Sequence, residues 1–342
     1  MARQNLALEV LDAWNVTPSG PVEGIDPKGT FRIPMDGGDD LILTCIGGDD
    51  ARTAEQAALE HGVLQHLDGS GLPVAVPLRD RQGRTAVPHG GCLYALVPRL
   101  RGSQGGSKPT DCDELYRSYG GTIARMHMAL ATFRSEPVAL SARREALLPK
   151  VFDYGVPYLQ GYLNGAEAGR LQAMMADVGE VMRQAFKELP EQLIHRDCHT
   201  GNLLSRGTAV TGIIDWDHLC VGVRVFDLAY FAAQLGKRHV GDPDTMVQWI
   251  RDVSLVLLGY HQECHLSDGE RAAFVYVVIG VFIAFAGWEI EVGWVEALQT
   301  ELDAMAWMYD NLGVIGDQVA TVFGGQGAAG GARIPQEEHQ GL

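Results

Sequence analysis

The segment Leu193-Ile194-His195-Arg196-Asp197-Cys198-His199-Thr200-Gly201-Asn202-Leu203-Leu204 decides how the chain is to be read. Two short apolar runs, 193–194 and 203–204, read as strands that bracket a polar loop. A third apolar run ends in Gly212-Ile213-Ile214-Asp215-Trp216-Asp217-His218, which delivers further carboxylates thirteen residues beyond Asn202. Polar clusters projected from strand ends by apolar flanks carry function more often than they form plain solvated turns.

Working outward, the residues before this segment read as strands and turns around one helix. Phe31-Arg32-Ile33-Pro34-Met35 and Leu41-Ile42-Leu43-Thr44-Cys45-Ile46 flank Asp36-Gly37-Gly38-Asp39-Asp40, a hairpin signal. Thr53-x-x-Gln56 offers a capping box for a helix running to about Leu67, and Gly71-Leu72-Pro73 breaks it. Leu93 to Val97 is a further strand, and Arg101 to Pro109 reads as a connector. Beyond residue 110 the period becomes helical: Leu115, Tyr119, Ile123, Met126 and Leu130 share one face. Helices are expected over roughly 166–189, 226–236, 244–262, 268–289 and 292–312. The fold class is therefore α+β with two lobes: a β-rich N-terminal lobe, 1–98, and a mainly helical C-terminal lobe, 99–322. A glycine-rich tail follows at 323–342.

The spacing of the central segment matches a phosphoryl-transfer loop, His-x-Asp-x-x-x-x-Asn, followed by a separate Asp. In that chemistry an Asp orients and deprotonates the attacking hydroxyl, an Asn holds magnesium, and the later Asp joins the metal to the nucleotide phosphates. His195, Asp197, Asn202 and Asp215 fill the four places in order. Asn and Asp supply the hard oxygen ligands that Mg2+ requires.

With these residues the chain resembles the aminoglycoside phosphotransferase/choline kinase/homoserine kinase family of small-molecule kinases, whose fold is similar to that of protein kinases. Ile214-Asp215-Trp216-Asp217 matches the family's second motif, and His199-Thr200-Gly201-Asn202 looks like its His-Pro-Gly-Asn. Phe226-Asp227-Leu228-Ala229, Gly71-Leu72-Pro73, the Val97-to-Gly102 hinge and Gly121 to His127 extend the likeness across about 25–235. The resemblance implies a two-lobed kinase-like fold, ATP and Mg2+ as cofactors, and a hydroxyl-bearing small molecule as acceptor. It assigns Asp197 as the catalytic base, His195 as a brace of the loop, and Asn202 and Asp215 as metal ligands, with Asp217 as a further carboxylate.

On the nucleotide side such kinases carry a strand Lys or Arg paired with a helix Glu. Glu60 shares a helix face with Val63, Leu64 and Leu67 and fits the helix partner. The strand has Thr44 where the cation belongs. If Phe31, Ile33 and Met35 pair with Cys45, Leu43 and Leu41, Arg32 lies across from Thr44. Arg32, or Lys28 in the preceding turn, is then the replacement, against the plainer reading of Arg32 as an exposed strand residue. Gly24 to Thr30 is not a P-loop, because Thr30 stands where its Lys belongs and no helix follows. The adenine is expected at the hinge, near Leu96 and Pro98.

Two other readings compete. His195, Asp197, His199 and Asp217 have spacings that suit a metal-dependent hydrolase, and Thr44 is consistent with an inactive kinase-like binding module. For the acceptor, Ala272 to Ala332 has no Lys, Arg or His but seven acids. Glu289 and Glu296 are seven apart, with Trp288 beside them, and carboxylates among aromatic faces suit an ammonium group. A cationic acceptor such as an aminoglycoside, an aminocyclitol or an amino alcohol is expected; solvated helix faces are the plainer alternative.

Composition sets the outer bounds. With 27 Lys and Arg against 43 Asp and Glu, the net charge of −16 disfavours nucleic acid and anionic membrane surfaces. Six scattered cysteines without a C-x-x-C, and a start without an apolar signal, suit a reducing, cytoplasmic setting. The uncharged run Ala272 to Trp288 is expected to be a buried helix and not a membrane span. A homodimer is left open.

Overall fold

Alternating burial along Thr30–Ile33 and the single buried position Leu43 within Leu41–Cys45 put Phe31, Ile33 and Leu43 in the core of the N-terminal lobe. The computed structural model describes residues 2–26, 29–46, 54–105, 112–134, 147–240 and 243–323. Strands β1 (Glu23–Gly24), β2 (Thr30–Ile33), β3 (Leu41–Cys45), β4 (Val87–His89) and β5 (Cys92–Pro98) form an antiparallel sheet in the order β1-β2-β3-β5-β4.

Helix α1 (Ala2–Leu11) was not expected from the sequence. It closes this core with Ala7, Val10 and Leu11, and Trp14 follows in the next turn. Those residues keep helical spacing, but no Ser, Thr, Asp or Asn lies ahead of the helix to announce it. Helix α2 (Ala54–Gly69) lies where expected; its cap residue Thr53 is outside the described residues. Its apolar face, Val63, Leu64 and Leu67, joins the core of the helical lobe and not that of the sheet.

The β2–β3 register differs from expectation by two residues. Phe31 pairs with Leu43, Ile33 with Leu41 and Arg32 with Ile42, so Thr30 and not Arg32 stands opposite Thr44. The connection starts at Pro34, two residues earlier than the sequence suggested, and the apolar face is kept because a shift of two preserves side-chain parity.

The C-terminal lobe begins with α3 (Cys112–Thr132). A helical stretch, α4, follows, formed by Leu147–Pro149, a π-helical Lys150–Gly155 and Val156–Tyr162. After α5 (Gly165–Lys187) come two small antiparallel ladders: β6 (Glu191–Ile194) with β9 (Cys220–Val223), and the hairpin of β7 (Leu203–Arg206) and β8 (Ala209–Ile213). Helices α6 (Val225–Gly236), α7 (Pro243–Glu263), α8 (Asp268–Val292), α9 (Val295–Asp310) and α10 (Leu312–Val322) complete the lobe. Of the expected tail only Phe323 is described; it packs edge-on against His261, and 324–342 lie outside the described residues.

The uncharged run falls within α8, which starts at a Ser267/Glu270 capping box. Among the described residues this is the one helix long and apolar enough to cross a membrane, and 72% of its most apolar window is buried inside the protein. It is the central core helix of the lobe. The Ile213 N–H donates to the Pro73 carbonyl (2.8 Å) and so joins the lobes, while reciprocal Ser103–Ser205 backbone bonds fix the chain just after the hinge.

Helices α3 and α7 cross at glycine on both sides. A Cβ on Gly120 would sit 1.9 Å from the Val256 carbonyl oxygen, and one on Gly259 would sit 2.1 Å from that of Arg117. Backbone atoms cannot yield as a side-chain tip does, so the helices would have to separate. Gly120→Ala is expected to destabilise the protein by about 2–3 kcal/mol, read as a lower urea midpoint; an unchanged midpoint would refute the close crossing.

Candidate active site

The loop after β6 is built on one buried carboxylate. Asp227 sits in the first turn of α6, fully buried. Its Oδ2 accepts the His195 N–H (2.9 Å) and its Oδ1 the Arg196 N–H (2.7 Å), while His127 Nε2 on α3 lies 2.9 Å from Oδ2. These bonds hold Arg196 at φ +71°, a conformation unusual for a residue with a side chain. The His195 ring is fully buried and spans two backbone groups. Nε2 donates to the Ile214 carbonyl (3.0 Å), and Nδ1 accepts the Asp197 N–H (3.3 Å). Burial pushes its imidazole pKa down, which favours the neutral ring that this pattern requires. The His195 ring thus links the Asp197 turn to the Ile214 segment.

Asp197 stands at the far side of the turn. Asn202 Nδ2 donates to both its carbonyl oxygen (2.9 Å) and its Oδ2 (2.7 Å). Burial works to raise the Asp197 carboxyl, but hydrogen bonds from His199 and Tyr230 outweigh it and hold the group below its ordinary value. The carboxylate stays ionised at neutral pH. The β7–β8 hairpin brings the second motif alongside: Leu203 pairs with Ile213, and the Ile214 N–H donates to the Asn202 carbonyl (3.0 Å). Asn202 and Asp215 thus lie at the same end of one hairpin, with Asp215 exposed and at φ +66°.

The Asn202 amide N–H2 is engaged by Asp197, which leaves its carboxamide oxygen to act as a hard ligand beside the Asp215 carboxylate. That donor set fits a divalent cation held by one or two protein oxygens and by phosphate oxygens. Asp217 is half-buried on the short helical turn that follows Asp215, with Oδ1 3.8 Å from His218 Nε2.

The hydrolase reading does not survive this geometry. Both His195 nitrogens are committed to backbone groups, and no group of three or more His, Cys, Asp or Glu among the described residues is arranged to hold a metal.

A cavity of about 810 Å³ opens onto Asp197 between the loop, α4, α6 and α8. Trp288 lines it, as expected, but the two acids named from sequence do not. Helix α8 ends at Val292 with Gly293 at φ +77°, so Glu289 and Glu296 lie on different helices and share no face. Glu296 is exposed at the start of α9. Glu289 is turned inward, where it and Glu301 face Lys237, with Lys237 Nζ 4.0 Å from Glu289.

The acid of α8 that lines the cavity is Glu291, counted among the seven acids in the sequence but given no role there. It accepts the hydroxyls of Tyr154 (2.7 Å) and Tyr158 (3.0 Å) from α4, and these bonds hold its carboxyl below the ordinary value. Lys150, Arg196 and Asp153 also line the space. No sequence signal pointed to α4, because its helical run is interrupted by the π-helical turn.

On the nucleotide side, Arg32 is paired with Asp40 (2.6 Å) and Glu23 (3.1 Å) at the rim of the sheet. With the register two residues from expectation, it does not stand in for a cation at Thr44. Thr44 itself pairs with Thr30 and Ala95, so its strand neighbours supply none. Glu60 is buried on the face of α2 that turns to the protein interior, as expected. Lys28 lies outside the described residues. Leu96 is buried in the sheet core and its carbonyl accepts the Leu78 N–H (2.8 Å); Pro98 ends β5 opposite Leu41.

The family model for a phosphotransferase enzyme family matches residues 29–248. A homoserine kinase of Zymomonas mobilis is 29% identical over 234 residues, which cover 65% of this chain and 66% of that protein. The chain thus spans about two-thirds of that relative. Among solved structures, an amicoumacin kinase in complex with AMP-PNP and Ca2+ superposes with a TM-score of 0.66 at 18% identity, covering 93% of this chain and 95% of that one. A microcompartment-associated aminopropanol kinase gives 0.67 at 17%, covering 91% and 98%. The two superpositions establish the fold.

The Glu289–Lys237–Glu301 group generates a pH-dependent outcome. One ammonium cannot neutralise two buried carboxylates, and burial, with Glu289 alongside, pushes Glu301 up to about 7. A raised carboxyl stabilises the fold fully below its unfolded pKa and loses that contribution as pH rises through the folded one. Urea stability is therefore expected to fall by about 1–3 kcal/mol between about pH 5 and pH 8 from this group, and Glu301→Gln should flatten the slope. A slope left intact in the variant would count against the raised Glu301 carboxyl.

Proposed function

Because the chain belongs to the phosphotransferase enzyme family, we propose that it moves the γ-phosphate of Mg-ATP to a hydroxyl of a small, amine-bearing acceptor. The observation that carries this reading is the ionised Asp197 carboxylate, clamped by Asn202 and facing a cavity large enough for an acceptor. With the acceptor hydroxyl within hydrogen-bond reach of Asp197, its oxygen bonds to the γ-phosphorus as the β–γ bridging bond breaks. ADP leaves, and the hydroxyl proton passes to Asp197.

Asn202 and Asp215 are the residues to hold the divalent ion, with Asp217 as a further carboxylate on the same turn. Magnesium bound there supplies charge neutralisation on the β- and γ-phosphates. His195, neutral and buried, keeps the Asp197 backbone in position. Nothing in this set requires covalent chemistry of the protein; positioning and electrostatics suffice.

The amine seat is Glu291 with the rims of Tyr154, Tyr158 and Trp288, which combine a carboxylate with aromatic faces. The relative from Zymomonas mobilis is named for homoserine, which joins an amine and a hydroxyl on a short chain, and this supports an amine-bearing acceptor. Lys150 and Arg196 in the same wall leave room for an anionic group as well. A reaction drawing on ATP suits the cytoplasm, and none of the described cysteines is in a disulfide. The inactive-module reading rests on Thr44 alone, and phosphate transfer decides it.

Asp197→Asn should lower kcat by about a thousandfold, followed as phosphorylated product, while calorimetry shows ATP binding within a few-fold of wild type. Retained transfer would remove Asp197 from the role. Glu291→Gln should raise KM for amine-bearing acceptors by about tenfold with a smaller change in kcat, because a partly exposed charge is lost at the acceptor end and not at the reacting oxygen.

A further inference from the structure

Five aromatic rings form a continuous ladder that starts at the reacting carboxylate and runs out of the cavity. Tyr230, bonded to Asp197, stacks on Phe226 with centroids 6.0 Å apart. It meets Phe285 at 5.6 Å, Phe285 meets Trp288 edge-on at 6.4 Å, and Trp288 meets Trp294 edge-on at 5.2 Å. Four of the rings line the cavity itself, and Leu147, Val281 and Ala284 line it with them. At the outer end Trp288 is 39% and Trp294 63% exposed, a large apolar surface left in water.

The charged groups of the cavity come in sets: Asp197 with Arg196 and His218, Glu291 with the tyrosines Tyr154 and Tyr158 that bond it, and Lys150 and Asp153 on α4. A short amino alcohol or amino acid that engages the polar groups covers little of the ladder's apolar surface. A volume of about 810 Å³ is in the range of pockets that enclose drug-sized ligands, about 300–1,000 Å³.

We propose that the acceptor is amphipathic: a hydroxyl and an amine carried on a sizeable apolar or aromatic body that lies along the Phe226–Tyr230–Phe285–Trp288 ladder. The occupant must offer a hydroxyl to Asp197, which makes it the acceptor and not a docking protein. This rests on the phosphotransfer reading of the same site and specifies which acceptors that site prefers. Burial of the apolar body supplies binding that the polar groups alone do not, and the exposed Trp288–Trp294 pair extends the surface for bodies longer than the cavity.

The test is a graded series with constant amine and hydroxyl: 2-aminoethanol, homoserine, 2-amino-1-phenylethanol and 2-amino-1-octanol. Binding to the full chain is measured by calorimetry, and transfer is measured separately as phosphomonoester formed from ATP. The phenyl and octyl compounds are expected to bind at least about tenfold more tightly than 2-aminoethanol and to show a correspondingly higher kcat/KM. Ala284→Phe, which adds bulk to the cavity wall, should bring that preference down toward unity, and Trp288→Ala should weaken the octyl compound most.

Tight apolar binding without transfer to any of the four supports the ladder and sinks the phosphotransfer reading. Transfer to 2-aminoethanol or homoserine with no gain from the apolar groups overturns the ladder and leaves that reading standing. No binding of the phenyl or octyl compound overturns the ladder outright.

Discussion

A single buried carboxylate organises the loop that carries Asp197. Asp227 accepts two successive backbone N–H groups, those of His195 and Arg196, and meets the His127 ring from a third element. A carboxylate removed from water is tolerable only when its oxygens are fully engaged, and here the engagement runs to the turn that carries Asp197. The strained φ of Arg196 is held by the same bonds, so the conformation of the turn and the burial of Asp227 depend on each other. His127 is fixed in turn by Tyr260 of α7 (2.9 Å), which ties the loop to the glycine crossing of α3 and α7.

From that anchor the rest of the site follows by short links. His195 passes the constraint to Ile214 and so to the hairpin that presents Asp215. Asn202 passes it across the loop to the Asp197 carboxylate. The second strained residue, Asp215, lies at the end of this chain of contacts and in solvent, where a cation and phosphates can reach it. Helix α6 supplies both the anchor, Asp227, and a ring of the cavity wall, Phe226, so the Asp197 loop and the cavity wall share one rigid support.

The arrangement of the central segment follows from its spacing: apolar strands flank the loop, Asn202 closes on Asp197, and the hairpin brings Asp215 to the same end as Asn202. The two-lobed order was legible from the change of hydrophobic period near residue 110. What failed did so where one local feature had to be inferred from another. Arg32 was misplaced because register depends on where a connection starts, and one proline moved the pairing by two residues. Glu289 and Glu296 were joined by a seven-residue spacing that holds only within one helix, and Gly293 ends the helix between them. Glu291, two residues from Glu289, points to the cavity because positions two apart face different sides of a helix. Asp227 was noticed as part of a resemblance but not as an anchor, although a lone acid in the run Val225 to Ala233 is itself a sign of buried partners.

The most direct test of this account is Asp227→Asn, which keeps the shape and removes the charge. Amide hydrogen exchange at His195 and Arg196, measured alongside phosphate transfer, reads the anchor and its consequence in one variant. The account predicts that protection at these two amides collapses and that kcat falls about a hundredfold, as expected for a displaced catalytic group, with protection in the α8 core retained. Intact transfer with both amides still protected would contradict it.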